Sequence, residues 1–389
     1  MSKINDLINK LCPNGVEYKK LEDCCNILDN KRKPVSKGVR ENGEYPYYGA
    51  NGIQDYINDF IFDGEYVLVG EDGSVQTANG TPVVNWAVGK LWVNNHAHII
   101  EEIDGVSLRY LYHYLQIVDV KDLIHGNIPK LNQGDFRNIK IAIPPLEVQE
   151  EIVIILDKFG ELEAELEAEL EARKSQYEFW RGKLIDNTKA TVKFGDVATI
   201  VRGGSPRPIQ DFITNDENGI PWIKIGDGSP NDKYITSTKE KITVAGKNKS
   251  RYVKAGDFIL SNSMSFGRPY ILKIDGCIHD GWLSISNFEN TFTSDFLYHL
   301  LSSKPIQDEM KKKASFGTVK NLKADTVKEI DLPLYSKEEQ VKIVKILDKF
   351  EELTNDIVVG IPAEIELRRK QYEYYRNKLL SFEELSVSE

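Results

Sequence analysis

Between Leu146 and Ile185 apolar side chains recur three and four positions apart, at Ile152, Ile155, Leu156, Phe159, Leu162, Leu166 and Leu170, with strong helix formers between them. That spacing is the period of an α-helix, and at 1.5 Å per residue it predicts one amphipathic helix of about 60 Å. The centre of this helix is a tandem tetrapeptide, Glu161-Leu-Glu-Ala164, Glu165-Leu-Glu-Ala168 and Glu169-Leu-Glu-Ala172. Elsewhere the pattern changes. Short β-type runs (Tyr66 to Val69, Leu91 to Val93, Phe258 to Leu260, Tyr270 to Ile274) are broken by Gly, Asn and Asp, and helical patterning is confined to pieces such as Ser107 to Gln116 and Ser294 to Ser302. Such segments predict α+β domains, each with a twisted, partly open sheet.

The pattern also repeats. Residues 126–162 match 317–353 without a gap at an offset of 191, pairing Gly126 with Gly317, Leu131 with Leu322, Gln149 with Gln340 and Ile152 with Ile343. Both copies contain Leu-Asp-Lys-Phe, at Leu156 to Phe159 and at Leu347 to Phe350. Further on, Arg173 to Glu178 matches Arg368 to Glu373 at an offset of 195, so the second copy carries four extra residues. Four is close to one helical turn, an insertion that a helix can absorb with a rotation of about 40°. Gly360 and Pro362 lie in the same stretch, however, and predict a break or kink there. Two such helices in one chain, each with an apolar stripe to cover, are expected to pack antiparallel on each other. Weaker matches precede each helix: Gly64 to Leu68 with Gly256 to Leu260, and Tyr110 to His113 with Phe296 to His299. The expected organisation is therefore a globular domain over 1–143, a helical region over 144–190, a second domain over 191–335 and a second helical region over 336–389, related by a pseudo-twofold.

Composition narrows the chemistry. Lys and Arg number 50 against 60 Asp and Glu in 389 residues, a net charge of -10 that at first sight argues against nucleic acid. The charge is unevenly spread, because nine of the ten excess negative charges fall in the two helical regions and 191–335 is mildly basic. Cys12, Cys24, Cys25 and Cys277 have neither zinc-site nor disulfide-framework spacing, which fits reduced thiols. The start of the chain has no secretory pattern and the chain no membrane-length apolar run, so a cytoplasmic protein without membrane contact is expected. Phosphate-loop, GxSxG and HExxH motifs are absent, as is the Asp/Asn-Pro-Pro-Tyr/Phe signature of amino-methyltransferases. His113 and His299, at matching repeat positions, read as structural, and the spacing of His96 and His98 without a third ligand is weak support for metal. Neither a catalytic residue nor a metal site is expected.

Two similar domains joined by a stiff helical spacer suit an extended ligand touched at two separated points, and duplex DNA with two half-sites is the natural one. Taken together, Ile155-Leu-Asp-Lys-Phe159 with Arg173-Lys-Ser-Gln-Tyr-Glu178, their second copies Ile346 to Phe350 and Arg368 to Arg376, and the domain motifs Tyr66-Val-Leu-Val-Gly-Glu-Asp-Gly73 and Ser261-Asn-Ser-Met-Ser-Phe-Gly267 resemble the specificity (S) subunit of a Type I restriction-modification system over essentially the whole chain. The resemblance implies a non-catalytic, DNA-binding subunit of a phage-defence system. Its two target-recognition domains would each read half of a bipartite asymmetric site, and its helical regions would dock two adenine methyltransferase (modification) subunits. It also implies restriction (motor-nuclease) subunits held through those partners, with S-adenosylmethionine, ATP and Mg on the partners and no cofactor in this chain. The tetrapeptide repeat occupies one arm only, a departure that bears on the spacer. A rival reading is a scaffold protein with a coiled-coil spacer and no DNA role.

Candidate DNA-binding residues are polar and basic side chains in loops flanked by Gly or Pro, since Arg, Lys, Asn and Gln read base edges or clasp phosphates. In the first domain these are Lys31, Arg32, Lys33, Asn51, Gln54, Asn95, His96 and Asn127. In the second they are Arg202, Arg207, Asn262, Ser263, Arg268, Lys312 and Lys320. Candidates for partner binding on the helices are Leu156, Phe159, Tyr177, Leu347, Phe350 and Tyr372.

Overall fold

The structure is a computed structural model and describes residues 2–73, 75–185, 188, 190–229, 232–262, 266–313, 322–356 and 359–385. Two compact units emerge. Unit 1 comprises residues 1–165 together with 366–389, and unit 2 comprises 166–365. The longer helices are α1 (Ser2–Leu11), α2 (Leu108–Leu115), α3 (Leu146–Ile185), α4 (Ser294–Ser302), α5 (Lys304–Lys313), α6 (Lys337–Asn355) and α7 (Ile361–Leu379).

Unit 1 is built on a six-stranded sheet in the order Asn26–Ile27, Ala97–Glu101, Phe62–Gly70, Val84–Val93, Asn42–Gly49, Gly52–Ile57. Phe62–Gly70 is central, and Val67 lies opposite both Trp86 and Ile100. Its side chains alternate between two cores: Val67 and Val69 join the cluster that includes Leu111 and Leu115 of α2, whereas Tyr66 and Leu68 face Phe62, Leu91 and Ile99. Burial on both faces explains why the sequence shows an unbroken apolar run here instead of an apolar-polar alternation.

Unit 2 repeats the centre of this design. Thr199–Arg202, Trp282–Ser286, Phe258–Ser261 and Pro269–Leu272 follow one another in the same order as the first four strands of unit 1. Phe258 and Leu260 face the core that contains Leu297 and Leu301 of α4, while Ile259 faces Trp282 and Tyr270. Beyond that point the units diverge. Where unit 1 continues into the Asn42–Ile57 hairpin, unit 2 adds a short strand, Tyr234–Ile235, and a separate five-stranded sheet that includes Ile220–Ile223 and Gly276–Ile278.

The expected helix over Leu146 to Ile185 is present as one element of 40 residues. Val148, Ile152 and Leu156 are buried in unit 1 and Tyr177 and Ile185 in unit 2, while Leu162, Leu166 and Leu170 of the tetrapeptides are half-buried. The second copy is not one helix. The chain leaves α6 after Asn355 and re-enters a helix at Ile361, so the four extra residues fall in a break instead of being absorbed by rotation. Gly360 explains part of this: a Cβ there would stand 2.6 Å from the carbonyl oxygens of both Glu352 and Asp356. Pro362 follows in the first turn of α7, where its missing N–H costs nothing.

The antiparallel pairing of helices is observed inside each unit. In unit 1, Glu163 receives Arg369 at 2.5 Å and Phe159 stacks on Tyr375, with centroids 5.5 Å apart. In unit 2, Tyr177 stacks on Phe350 at 6.2 Å, while the Tyr335 hydroxyl donates to the Leu184 carbonyl at 3.0 Å. Each unit therefore takes one helical segment from either copy of the repeat.

The repeat motifs meet in matching polar nodes. His113 Nε2 donates to Asp157 Oδ1 at 2.8 Å, and its Nδ1 lies 3.1 Å from the Tyr372 hydroxyl. In unit 2, His299 stands 2.8 Å from Asp348 and 3.2 Å from the Tyr177 hydroxyl. Burial holds the His113 imidazole below its ordinary range, so the neutral ring donates on one side and accepts the tyrosine proton on the other. A second matched pair ties each long helix to its domain. Gln149 accepts from the Ser107 N–H and donates to the Gly105 and Pro144 carbonyls, as Gln340 does with Thr293, Thr291 and Tyr335. Both glutamines are fully buried, which makes their complete pairing necessary.

Candidate nucleic-acid interface

Most first-domain candidates lie at one end of the unit 1 sheet. Asn51 occupies the exposed turn between Asn42–Gly49 and Gly52–Ile57, with Gln54 one pleat further along. Gln54 accepts from Asn94 Nδ2 at 3.3 Å, and Asn94 is itself buried, its Oδ1 accepting the His96 N–H at 2.8 Å. That clamp shapes the turn holding Asn95, which is exposed, and His96, whose Nδ1 lies 2.5 Å from Asp72. Gly73 N–H donates to the Pro129 carbonyl, which brings the exposed Asn127 loop to the same region. The segment carrying Lys31 and Lys33 is held there too, because the Lys33 carbonyl accepts Trp92 Nε1 at 2.6 Å and its N–H donates to Val93. Both lysine side chains are exposed.

Arg32 departs from the expected role. Its side chain is 11% exposed and donates to Glu71 at 2.5 Å and to the Ala97 and Asp29 carbonyls at 2.6 and 3.0 Å. A guanidinium with Nε and Nη1 committed to internal acceptors and Nη2 facing Asp29 anchors the loop. Beneath it Asp29 accepts from His98 Nδ1 at 2.7 Å, from Gln133 at 3.1 Å and from the Ile99 N–H at 3.0 Å. His98 is stacked on Phe136 with its Nε2 on the Leu131 carbonyl. Ligand atoms of Asp29, Glu71 and His98 lie within 4.8 Å of one another. The carboxylates already face cations: Asp29 has Arg32 at 3.4 Å, and Glu71 has Arg32 at 2.5 Å and Lys130 at 3.0 Å. Burial pushes the Asp29 and Glu71 carboxyls up, but the hydrogen bonds and charges of His98, Arg32 and, for Glu71, Lys130 outweigh it and hold both below the usual carboxylate range. The cluster is thus a neutralised interior support for the loops.

In unit 2, three candidates converge on Asp280, which the sequence did not single out. Arg202 Nε and Asn262 Nδ2 donate to its carbonyl at 3.0 and 2.8 Å, and Arg207 stands 3.6 Å from its carboxylate. The hydrogen bond from Ser205 holds the Asp280 carboxyl low, with Arg202 and His279 adding to that effect. Arg202 and Arg207 are 62% and 83% exposed at the side chain and remain free to reach a ligand, whereas Asn262 is buried and acts as a brace. Among the described residues Arg268 and Lys312 make no contact with Asp280: Arg268 pairs through its backbone with Ser261, next to Asn262, and lies on a pocket wall, while Lys312 is exposed in the last turn of α5. Ser263 and Lys320 lie outside the described residues.

The two clusters occupy equivalent places. Glu71 N–H donates to the His96 carbonyl and its own carbonyl accepts from Leu131; Asn262 N–H donates to the Gly281 carbonyl and its carbonyl accepts from Leu322, the repeat partner of Leu131. One backbone frame therefore presents two different sets of side chains.

The helical candidates are placed differently from expectation. Leu156 and Leu347 are fully buried and Tyr177 nearly so, each within its own unit. Phe159, Phe350 and Tyr372 are half-buried and engaged in the ring contacts and polar nodes described above. Leu156, Leu347 and Tyr177 are therefore internal fastenings of the repeat motif, whereas Phe350 also lines an apolar pocket with Lys345, Ile346, Lys349 and Leu353. Exposed apolar groups on the same helices are Ile154, Phe179, Val341, Ile346 and Tyr374, of which Phe179 and Tyr374 are repeat counterparts and Ile346 adjoins Phe350. All four cysteines are buried thiols, and burial lifts Cys24 to about 11. Among the described residues no helix is long and apolar enough to cross a membrane.

Comparison with known proteins agrees with this arrangement. The profile of the type I restriction modification DNA specificity domain matches twice, over residues 13–172 and 187–367. A Haemophilus influenzae protein named as a type I restriction enzyme specificity subunit is 38% identical over 386 residues, spanning 94% of this chain and 96% of its own. The Escherichia coli EcoR124I/EcoR124II specificity subunit is 32% identical over 295 residues, 71% of either chain. Among solved structures, the type I restriction-modification S subunit from M. genitalium superposes with a TM-score of 0.53 at 15% identity, covering 94% of this chain and 96% of that one. A chain from a structure describing complex assembly and conformational transition of the type I system gives 0.62 at 13% identity, covering 95% and 98%.

Proposed function

The chain belongs to the type I restriction-modification DNA specificity family, whose members are non-catalytic specificity subunits, and from that premise we propose that it reads a bipartite asymmetric DNA site and docks two adenine methyltransferase subunits. The observation that carries the reading is the duplicated frame: equivalent sheet ends in the two units expose Lys31, Lys33, Asn51, Gln54, Asn95 and His96 in one and Arg202 and Arg207 in the other. Equal scaffolds with unequal side chains recognise unequal half-sites. Residues 1–143 and 191–335 then act as the target-recognition domains, with 144–190 and 336–389 as the helical regions. The exposed apolar groups at Ile154, Phe179, Val341, Ile346 and Tyr374 offer these helices a partner surface for the methyltransferases. Restriction subunits join through those partners; S-adenosylmethionine belongs to the methyltransferases and ATP to the restriction subunits, with Mg also on the partner subunits. The acidity of the helical regions leaves phosphate neutralisation to local basic loops and to the partners.

Co-purification with a methyltransferase followed by methylome sequencing tests the proposal. The expected result is adenine methylation at a two-part sequence with unlike halves around a fixed spacer. A chain that neither recruits a methyltransferase nor directs methylation to such a sequence is not a specificity subunit of this kind.

Because Arg32 is internal, the basic loop is best probed by Lys31→Ala with Lys33→Ala, leaving Arg32 in place. In the assembled complex each lost phosphate contact should lower the slope of log affinity against log salt by about 0.9. A slope reduced by one to two, with the methylated sequence unchanged, is expected. A slope equal to that of the unmodified complex removes this loop from the interface.

A further inference from the structure

Repeat-equivalent arginines end the two Tyr-Arg pairs of the helices, and they differ in one respect. In unit 1, Arg376 lies over the Tyr372 ring, and its Nη1 donates to Gln116 Oε1 at 3.0 Å. In unit 2, Arg181 lies over Tyr177 in the same way, but the position matching Gln116 at the end of α4 is Ser302, too short to offer that acceptor. The space left by the missing amide is a pocket lined by Arg181, Arg268, Lys311, Ser302, Gln307 and Tyr298. Its single carboxylate, Asp232, already accepts the Ser229 N–H at 3.0 Å.

The pocket has more donors than acceptors. Arg181 is 11% exposed, paired with Glu178 and with its Nη1 3.4 Å from the Tyr177 hydroxyl; its buried Nε, like that of Arg376 in unit 1, has no hydrogen-bond partner among the described residues. Arg268 makes no side-chain hydrogen bond or ion pair among the described residues, and Lys311 has only a 3.9 Å approach to Asp308. Both hydrogens of the Gln307 amide are spent on the Gly267 and Leu301 carbonyls at 2.7 Å, which fixes the turn leading into Arg268. Arg268 and Lys311 are accessible cations beside the largely buried Arg181 side chain, and a multivalent oxyanion is the ligand that several such donors grip at once.

We propose that this pocket is a phosphate site, formed by Arg181, Arg268 and Lys311, that grips a backbone phosphate of the bound duplex beside the reading end of unit 2. Its position favours DNA as the source: Arg268 opens the strand Pro269–Leu272, and its N–H donates to Ser261 Oγ, one residue before the Asn262 brace. The inference rests on the DNA-reading function proposed above. A phosphate contact fixes register and adds affinity without reading sequence.

The test uses the full chain in complex with its methyltransferase partners and three variants: Arg268→Ala, Lys311→Ala and Ser302→Gln. The last restores the acceptor found in unit 1 and fills the pocket while keeping the Tyr177–Arg181 pairing, so it remains informative if an alanine variant fails to fold. Each variant is expected to weaken duplex binding several-fold and to lower the salt slope by about 0.9, the value for one phosphate, while methylome sequencing returns the same target bases. Slopes equal to that of the unmodified complex overturn the proposal, and a changed target sequence overturns it in favour of base reading by Arg268. A pocket for a free anion would show inorganic phosphate raising the thermal midpoint of the unmodified complex but not of Ser302→Gln, with DNA slopes unchanged; that result overturns the assignment to DNA. Failure of the unmodified complex to bind duplex at all would instead refute the broader function, and the two failures are therefore separable.

Discussion

Removing Glu165 to Ala168 from α3 is expected to shorten the spacer between the two half-sites by one or two base pairs and to leave the half-sites themselves unaltered. Four helical residues rise about 6 Å, against about 3.4 Å per base pair. The same deletion rotates the two ends of the helix by about 40° relative to each other, close to the roughly 34° twist per pair of a duplex with 10–10.5 pairs per turn. Translation and rotation therefore point to a similar shift. The helix tolerates the change because the deleted period keeps the stripe in phase: Leu162 stays, Leu170 takes the place of Leu166, and the aliphatic stem of Lys174 takes that of Leu170. Asp157 and Tyr177, which fasten the helix to α2 and α4 respectively through the His113 and His299 nodes, lie outside the deleted stretch. Methylome sequencing of the variant decides the matter. An unchanged spacer would show that the length of α3 does not set it.

Replacing Asp29 with Ala is expected to cost unit 1 about 3–5 kcal/mol, the range for removing one member of a buried, hydrogen-bonded charge network. Its side chain is 2% exposed, and its loss leaves Arg32, the His98 ring, the Gln133 amide and the Ile99 N–H short of an acceptor at once. Asp29→Asn, which retains an oxygen acceptor, should cost less. Urea denaturation followed in the full chain should show an early transition for the alanine variant, and a midpoint equal to that of the parent would remove Asp29 from the supports of the fold. The sign of the pH dependence follows from the same geometry. The folded-state pKa of Asp29 is depressed below the ordinary carboxylate value, so its contribution is present above that value and is lost as pH falls through the folded one. The alanine variant should accordingly lose part of the acid sensitivity of unit 1.

Periodicity alone located α3 to its ends, and the repeat alone located the fastening motifs, because both are properties of residues close together in sequence. The break before Ile361 was legible from Gly360 and Pro362, although the sequence left open whether the four extra residues would be wound into the helix. What stayed hidden depended on distant partners. Arg32 looks like its neighbours Lys31 and Lys33 until Glu71 and the Ala97 carbonyl are brought to it from two other strands, beside Asp29 of its own turn. Leu156 and Tyr177 carry the apolar and aromatic character of a docking surface, and nothing local says that the chain itself covers them. The second sheet of unit 2 was similarly illegible, its strands being two to four residues long and joined in an order that skips along the chain. The reading edges were partly visible, since loops flanked by Gly are exposed for backbone reasons, but the braces that shape them, Asn94 and Asp280, are recognised only by their hydrogen bonds.

The makeup of unit 1 also sets the order in which a nascent chain can be completed. Unit 2 is drawn from one uninterrupted stretch, 166–365, whereas unit 1 needs residues 366–389, made after it. Val16 N–H donates to the Glu383 carbonyl, the Tyr18 hydroxyl to that of Phe382, and Leu379 and Leu380 fill the core that α2 began. At about 5–20 residues per second, the segment made after residue 165 occupies the ribosome for roughly 10–45 s. Throughout that interval the first-made unit lacks its closing helix and keeps apolar surface open, while the later-made unit can finish. In this protein the segment made after unit 2 seals the half made before it.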